Sequence, residues 1–135
     1  AQTFLDIAGV KSPADMQGAS LVPLLKRDAL KGWRTHFYYH YYEFPGAHSV
    51  ARHYGVTNGR HKLIHFYQKN EWELFDLKKD PNELQSVYGN SDYKTIQSDL
   101  LAELKRLRVH YKVPEEDPVP PKRKRPNQPN RPKKK

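Results

Sequence analysis

Residues 52–67, RHYGVTNGRHKLIHFY, decide the fold. HYGVTN and HKLIHFY are short runs rich in β-branched and aromatic residues, which suit a pleated, half-buried surface. Between them stands Asn58-Gly59, the strongest short-range signal for a hairpin, so the two runs are expected to pair antiparallel. Upstream, THFYYHYYEF (residues 35–44) contains eight residues that match strand length, with faces His36, Tyr38, His40, Tyr42 and Phe37, Tyr39, Tyr41, Glu43. Both faces are aromatic, which predicts a strand covered on each side or placed at a junction with another body. Pro45-Gly46 ends it. Downstream, a turn at Gln68–Asn70 leads into EWELFDL, a further strand; Asp80-Pro81 then makes a turn, and Asn82–Leu84 are expected to form a helical turn.

From Ser91 the period changes. Tyr93, Ile96, Leu100, Leu104, Leu107 and Tyr111 recur every three or four residues over five turns, the stripe of an amphipathic helix. Ser91 is the expected N-cap, with Asp92 in the first turn facing free N–H groups. Such a helix has one place to bury its stripe, against one sheet face. The fold class is therefore α+β: a four-stranded antiparallel sheet packed on a long C-terminal helix. Ahead of it, Thr3–Gly9 reads as a helix end stopped by Gly9. A short helix is expected from Ser20, with Pro23 in its first turn, where a missing N–H costs nothing.

The 135 residues are room for one domain. Of the net charge of +9, residues 112–135 supply most, with nine Lys or Arg against three acidic groups and seven of the eleven prolines. That tail has almost nothing apolar to offset an ordering cost of roughly 1–2 kcal/mol per residue, so residues 114–135 are expected to be disordered. No run approaches the ~20 apolar residues of a membrane-spanning helix. The chain has no cysteine, which excludes disulfides, thiolate metal sites and a cysteine nucleophile. Its opening, AQTFLDIAGV, carries no secretory signal and reads as a piece of something longer.

The seven histidines invite a metal reading, but His36 and His40, like His61 and His65, fall four apart on strands, about 13 Å between side chains of one face. No metal is expected in this chain. Glu71, Glu73 and Asp76 allow a glycosidase-like pair to be imagined, although carboxylates on a solvent-facing strand are the plainer account. PPKRKRP and RPKKK in the tail are basic clusters of the nuclear-import or polyanion-binding kind. A small polyanion- or nucleic-acid-binding module using this tail is the alternative reading, and a merely solubilising or weakly anion-binding tail is the plainer one.

With these elements placed, LDIAGVKSPADMQGASLVPLL, WRTHFYYHYYEFP, HYGVTNGRHKLIHFY and EWELFDLKKDPNEL, followed by a helix, resemble in order and spacing the C-terminal part of sulfatases, in the alkaline phosphatase superfamily. The resemblance runs from Thr3 to about Val113. It implies that residues 1–32 are the end of the large sulfatase domain or linker helices, residues 33–113 the C-terminal subdomain, and residues 114–135 a Pro/Lys/Arg-rich tail. The family's formylglycine, made from Cys or Ser in C/S-x-P-x-R, and its calcium ion both belong to the large domain. This chain has no such motif, so no catalytic residue is assigned and no hydrolysis is expected from it alone. The resemblance further implies the large domain as partner, a sulfated carbohydrate as substrate of the full-length enzyme, and a periplasmic or secreted location. His53, with Arg52 and Tyr54 beside it, is the expected contribution to the rim of the substrate pocket. Many relatives have Arg-Thr and an acidic residue where Thr57, Asn58 and Gly59 stand here. Arg60 and Lys62 remain, as rim cations or as strand-turn salt links to Asp76 or Asp80.

Overall fold

A computed structural model describes residues 1–26, 32–44 and 47–115. The expectation of a disordered tail lies almost wholly outside these residues. The elements run α1 (Gln2–Ile7), α2 (Val22–Leu25), β1 (Phe37–Tyr41), β2 (His53–Thr57), β3 (His61–Phe66), β4 (Glu71–Asp76), and α3 (Lys94–His110), entered through a 3₁₀ turn at Ser91–Tyr93. The sheet is an antiparallel meander in the order β1-β2-β3-β4.

Several local details differ from the sequence reading. β1 holds five residues where eight were expected. In the β2–β3 turn only Gly59 takes a positive φ (+86°), so Gly59 and Arg60 are the central pair and Asn58 precedes them. The Asn58 side chain accepts from the N–H groups of Arg60 (3.0 Å) and His61 (2.7 Å), which fixes that geometry. No helical turn forms at Asn82–Leu84. Glu83 sits at φ +55°, in the left-handed region, while its N–H donates to the Asp80 carbonyl. The N-cap ahead of α3 is Asn90 rather than Ser91, because the Asn90 side chain reaches the N–H of Asp92 at 2.9 Å.

Strand alternation sorts the sheet. Tyr54 and Val56, Leu63, and Leu74 face α3 and meet Leu100, Leu104 and Leu107, with Tyr93, Ile96 and Tyr111 packed around them. This is the expected stripe. Each fully buried leucine or valine contributes roughly 1.5–3 kcal/mol. On the opposite face lie Tyr39, Tyr41, His53, Gly55, Ile64 and Phe75. Past β4, the Ser86 hydroxyl accepts from Leu74 N–H and Val87 N–H donates to the Leu74 carbonyl, which satisfies the outer edge of the strand.

Ahead of the sheet, Val10 N–H reaches back to the Leu5 carbonyl around Gly9 (φ +67°), closing α1. Ser20 Oγ donates to Asp6, and Leu21 N–H to Thr3 Oγ1, tying the approach of α2 to α1. Phe4, Ile7, Leu24 and Leu25 remain exposed on these two helices.

Gly55 has no room for a side chain. A Cβ there would meet the Leu63 carbonyl oxygen, and the Tyr39 ring at 2.8 Å. Gly55→Ala is expected to lower stability by about 1–3 kcal/mol in urea denaturation. Truncating Tyr39 in the same chain should not restore it, since the Leu63 carbonyl is backbone and cannot turn aside.

Candidate functional site

The five residues singled out from sequence do not form one cluster. Arg52, His53 and Tyr54 lie where β2 begins, and Arg60 and Lys62 at the hairpin end, four residues along a strand or about 13 Å away. Within the first group the side chains also diverge. Arg52 is only 5 % exposed. Its Nε and Nη2 donate to the carbonyls of Tyr42 (2.5 Å) and Phe44 (2.6 Å), pinning the chain where it leaves β1. Such inward use of a guanidinium leaves no trace in the sequence, because its partners are backbone atoms ten and eight residues away.

Tyr54 points to the α3 face. Its ring stacks on Tyr67, the Arg108 guanidinium carbon lies 4.1 Å from its centroid, and its hydroxyl is 2.8 Å from His65 Nδ1. His53 points to the other face. Its ring stacks on Tyr41 (centroids 5.3 Å) and meets Phe66 (5.1 Å) and Tyr39 (5.7 Å), while Nδ1 lies 2.8 Å from the Ala51 carbonyl. That contact requires the proton on Nδ1 and leaves Nε2 as an acceptor when the ring is neutral. His53 is thus an oriented, partly exposed imidazole on an aromatic floor.

The second group is paired. Arg60 binds Asp76 at 3.2 Å and Lys62 binds Glu83 at 2.6 Å. The first link matches one of the two partners expected from sequence. The second does not, because the left-handed turn at Glu83 carries that carboxylate back over β3. Asp76 is the more elaborate junction. It accepts from Arg60, from the Tyr93 hydroxyl (3.2 Å) and from Lys78 N–H (3.2 Å), and lies 3.7 Å from His61. The Arg60 hydrogen bond is the main force holding its carboxyl down at about 2. It fastens the end of β4 to the start of α3. Glu71 and Glu73 lie on the other face of the sheet, so neither makes a carboxylate pair with Asp76.

Among the described residues, no group of three or more His, Asp or Glu side chains is placed to hold a metal ion. A calcium ion needs six to eight converging oxygens, and the residues here do not fit it. No described helix is long and apolar enough to cross a membrane.

Comparison with known proteins gives this geometry a context. The family described as N-sulphoglucosamine sulphohydrolase, C-terminal, matches residues 1–110. An N-acetylglucosamine-6-O-sulfatase of Bacteroides thetaiotaomicron is 47 % identical over 115 residues, covering 83 % of this chain and 21 % of the relative. A Δ4,5-hexuronate-2-O-sulfatase of the same organism is 32 % identical, covering 81 % and 22 %. One solved structure, determined in complex with its substrate D-glucosamine-2-N,6-O-disulfate, superimposes with a TM-score of 0.80 at 45 % identity, covering 84 % of this chain and 24 % of that one. The chain therefore spans roughly a fifth to a quarter of the length of the relatives it matches.

His40 and Asp76 are two of the groups that shape the acid response. Burial, then repulsion by Arg108, lowers His40 to about 4, where it sits between the hydroxyls of Tyr38 and Tyr67. The fold thus favours neutral His40, and its contribution is complete above the ordinary histidine value and fades as pH falls from about 6.5 to 4. Asp76, also held low, contributes above about 4 and fades as pH falls through 2. Denaturation midpoints measured against pH should show both limbs. His40→Phe should flatten the upper one and Asp76→Asn the lower.

Proposed function

We propose, on the premise that this chain belongs to the sulfatase family as its C-terminal subdomain, that it forms one wall of a sulfuric ester hydrolase acting on sulfated carbohydrates. The likeness to a relative solved with its disulfated glucosamine substrate carries this reading. In it, residues 33–113 are the subdomain, while α1 and α2 belong to the end of the large domain or its linker. Their exposed Phe4, Ile7, Leu24 and Leu25 are the surface that domain would cover. The formylglycine and the calcium ion are supplied by the large domain; this chain has no cysteine and no C/S-x-P-x-R sequence. The enzyme operates in the periplasm or outside the cell.

The role of each side chain follows from its position. His53, oriented through Nδ1 on its aromatic floor, offers Nε2 to a sugar hydroxyl when neutral or to a sulfate oxygen when protonated. Arg52 holds the β1 exit in place behind it. Tyr54 supports the strand from the α3 side. Arg60 and Lys62, engaged with Asp76 and Glu83, set the hairpin end of the rim. The basic tail adds a weak, salt-sensitive contact with polyanionic glycans.

The test is expression with the in-frame coding sequence upstream of Ala1, assayed for sulfate release from 6-O-sulfated N-acetylglucosamine. The extended protein should turn over and the 135-residue chain alone should not. Turnover by the chain alone would overturn the reading. In the extended protein, His53→Ala should lower kcat/KM at least tenfold, about 1.4 kcal/mol of transition-state binding, with an unchanged melting temperature. Arg52→Ala should instead lower the melting temperature, because two carbonyls lose their partner.

A further inference from the structure

A cleft of about 430 Å³ opens between the edge strand β1, the C-terminal end of α3 and the connection near Gln17-Gly18. It opens mainly on the side of the sheet away from His53, with Phe37 reaching its mouth at the free edge of β1. Tyr38, His40 and Tyr42 alternate to the α3 side of β1, whereas His53 lies on the opposite face of the sheet. The walls are aromatic: Tyr38 stacks on Tyr111 with centroids 6.1 Å apart, and Phe37 and Tyr42 at the mouth are 52 % and 51 % exposed. Two cations border it. The Arg34 guanidinium is held 5.8 Å from the Phe37 ring centroid. Lys112 is carried to the rim by a left-handed turn (φ +54°) that ends α3. Among the described residues, no carboxylate lines the cleft.

The polar equipment suits a ring with hydroxyl groups. Gln17 is fixed across the opening by its amide, which donates to the Tyr111 carbonyl at 3.1 Å. The Tyr38 hydroxyl is turned to His40 Nδ1 at 3.3 Å and braces the wall of the cleft rather than its opening. Exposed aromatic faces take the apolar C–H side of a pyranose, amide and hydroxyl groups take its hydroxyls, and unopposed cations take its anionic substituent. The volume lies in the range of small-ligand sites.

We propose that this cleft is a second, non-catalytic subsite for an anionic saccharide, formed by Tyr42 and Phe37 as stacking faces and by Arg34 and Lys112 as the anion contacts. The choice of a sulfated saccharide rests on the function proposed above; the position of the subsite does not. It would hold a neighbouring residue of a longer glycan, so that the protein grips its substrate at two points on opposite sides of one sheet.

The experiment is an NMR titration of the full 135-residue chain with a heparin-derived disaccharide at physiological salt. The amide resonances of Phe37, Tyr42 and Lys112 should move, and Arg34→Gln with Lys112→Gln should weaken binding at least tenfold. Both side chains are exposed and outside the core, so the double variant keeps its fold. Shifts confined to the tail, or to residues around His53, would overturn the subsite. Equal shifts with inorganic sulfate would reduce it to an adventitious anion contact, and equal affinity for a nucleoside monophosphate would overturn the saccharide assignment. Failure here with sulfate release by the extended protein intact would remove the subsite and leave the enzyme reading standing.

Discussion

Everything described here hangs on one contact, the seating of Leu100, Leu104 and Leu107 against Val56, Leu63 and Leu74. A four-stranded meander has two faces, and neither survives in water if both are apolar and bare. The α3 stripe covers one. That commits Tyr54 and Val56 inward and sends His53, Gly55 and Thr57 to the other side. A one-residue slip of β2 would exchange these sets and bury His53 under the helix. The leucines therefore determine which way the candidate ligand-binding histidine points, although none of them comes near it.

The polar junctions act on that arrangement at its ends. Asp76 collects Arg60, His61 and Tyr93, so β4, the β2–β3 turn and the first turn of α3 are fastened at one carboxylate. Removing any donor leaves a buried anion with fewer partners, which costs more than the bond itself contributes. At the other end of β2, Arg52 does similar work with backbone carbonyls. From sequence Arg52 is a candidate for the rim and Asp76 for a carboxylate pair, and both are consumed by the fold.

The middle and the ends of β1 have different fates for the same reason. Tyr38 and His40 are held under α3 by Tyr111, Tyr54 and Tyr67. Phe37 and Tyr42, at its two ends, stay half exposed because α3 stops at His110 and the chain turns away through Lys112. Exposed aromatic area beside two cations follows from where a helix ends, not from any feature of β1 itself.

The amphipathic stripe of residues 93–111, the Asn-Gly turn and the dense aromatic run are short-range patterns. Period and turn chemistry are enough to fix four antiparallel strands and one covering helix from sequence, and the ordered blocks from Leu5 to Leu84 are enough to place the chain among sulfatases. Local details escaped where near-equal options compete: an asparagine side chain two or three residues away makes Asn90 rather than Ser91 the cap and Gly59-Arg60 the turn centre, and the turn at Glu83 gives Lys62 that partner rather than Asp80. For the site, the sequence singles out His53 with Arg52 and Tyr54 as neighbours, but it does not show where their side chains go. One register and one packed helix send these three adjacent side chains to a backbone clamp, an open aromatic floor and a buried stack. The cleft beside Tyr42 was invisible for a similar reason. Its walls come from three segments as far apart as Gln17 and Lys112, and only the packing of α3 on the sheet brings them together.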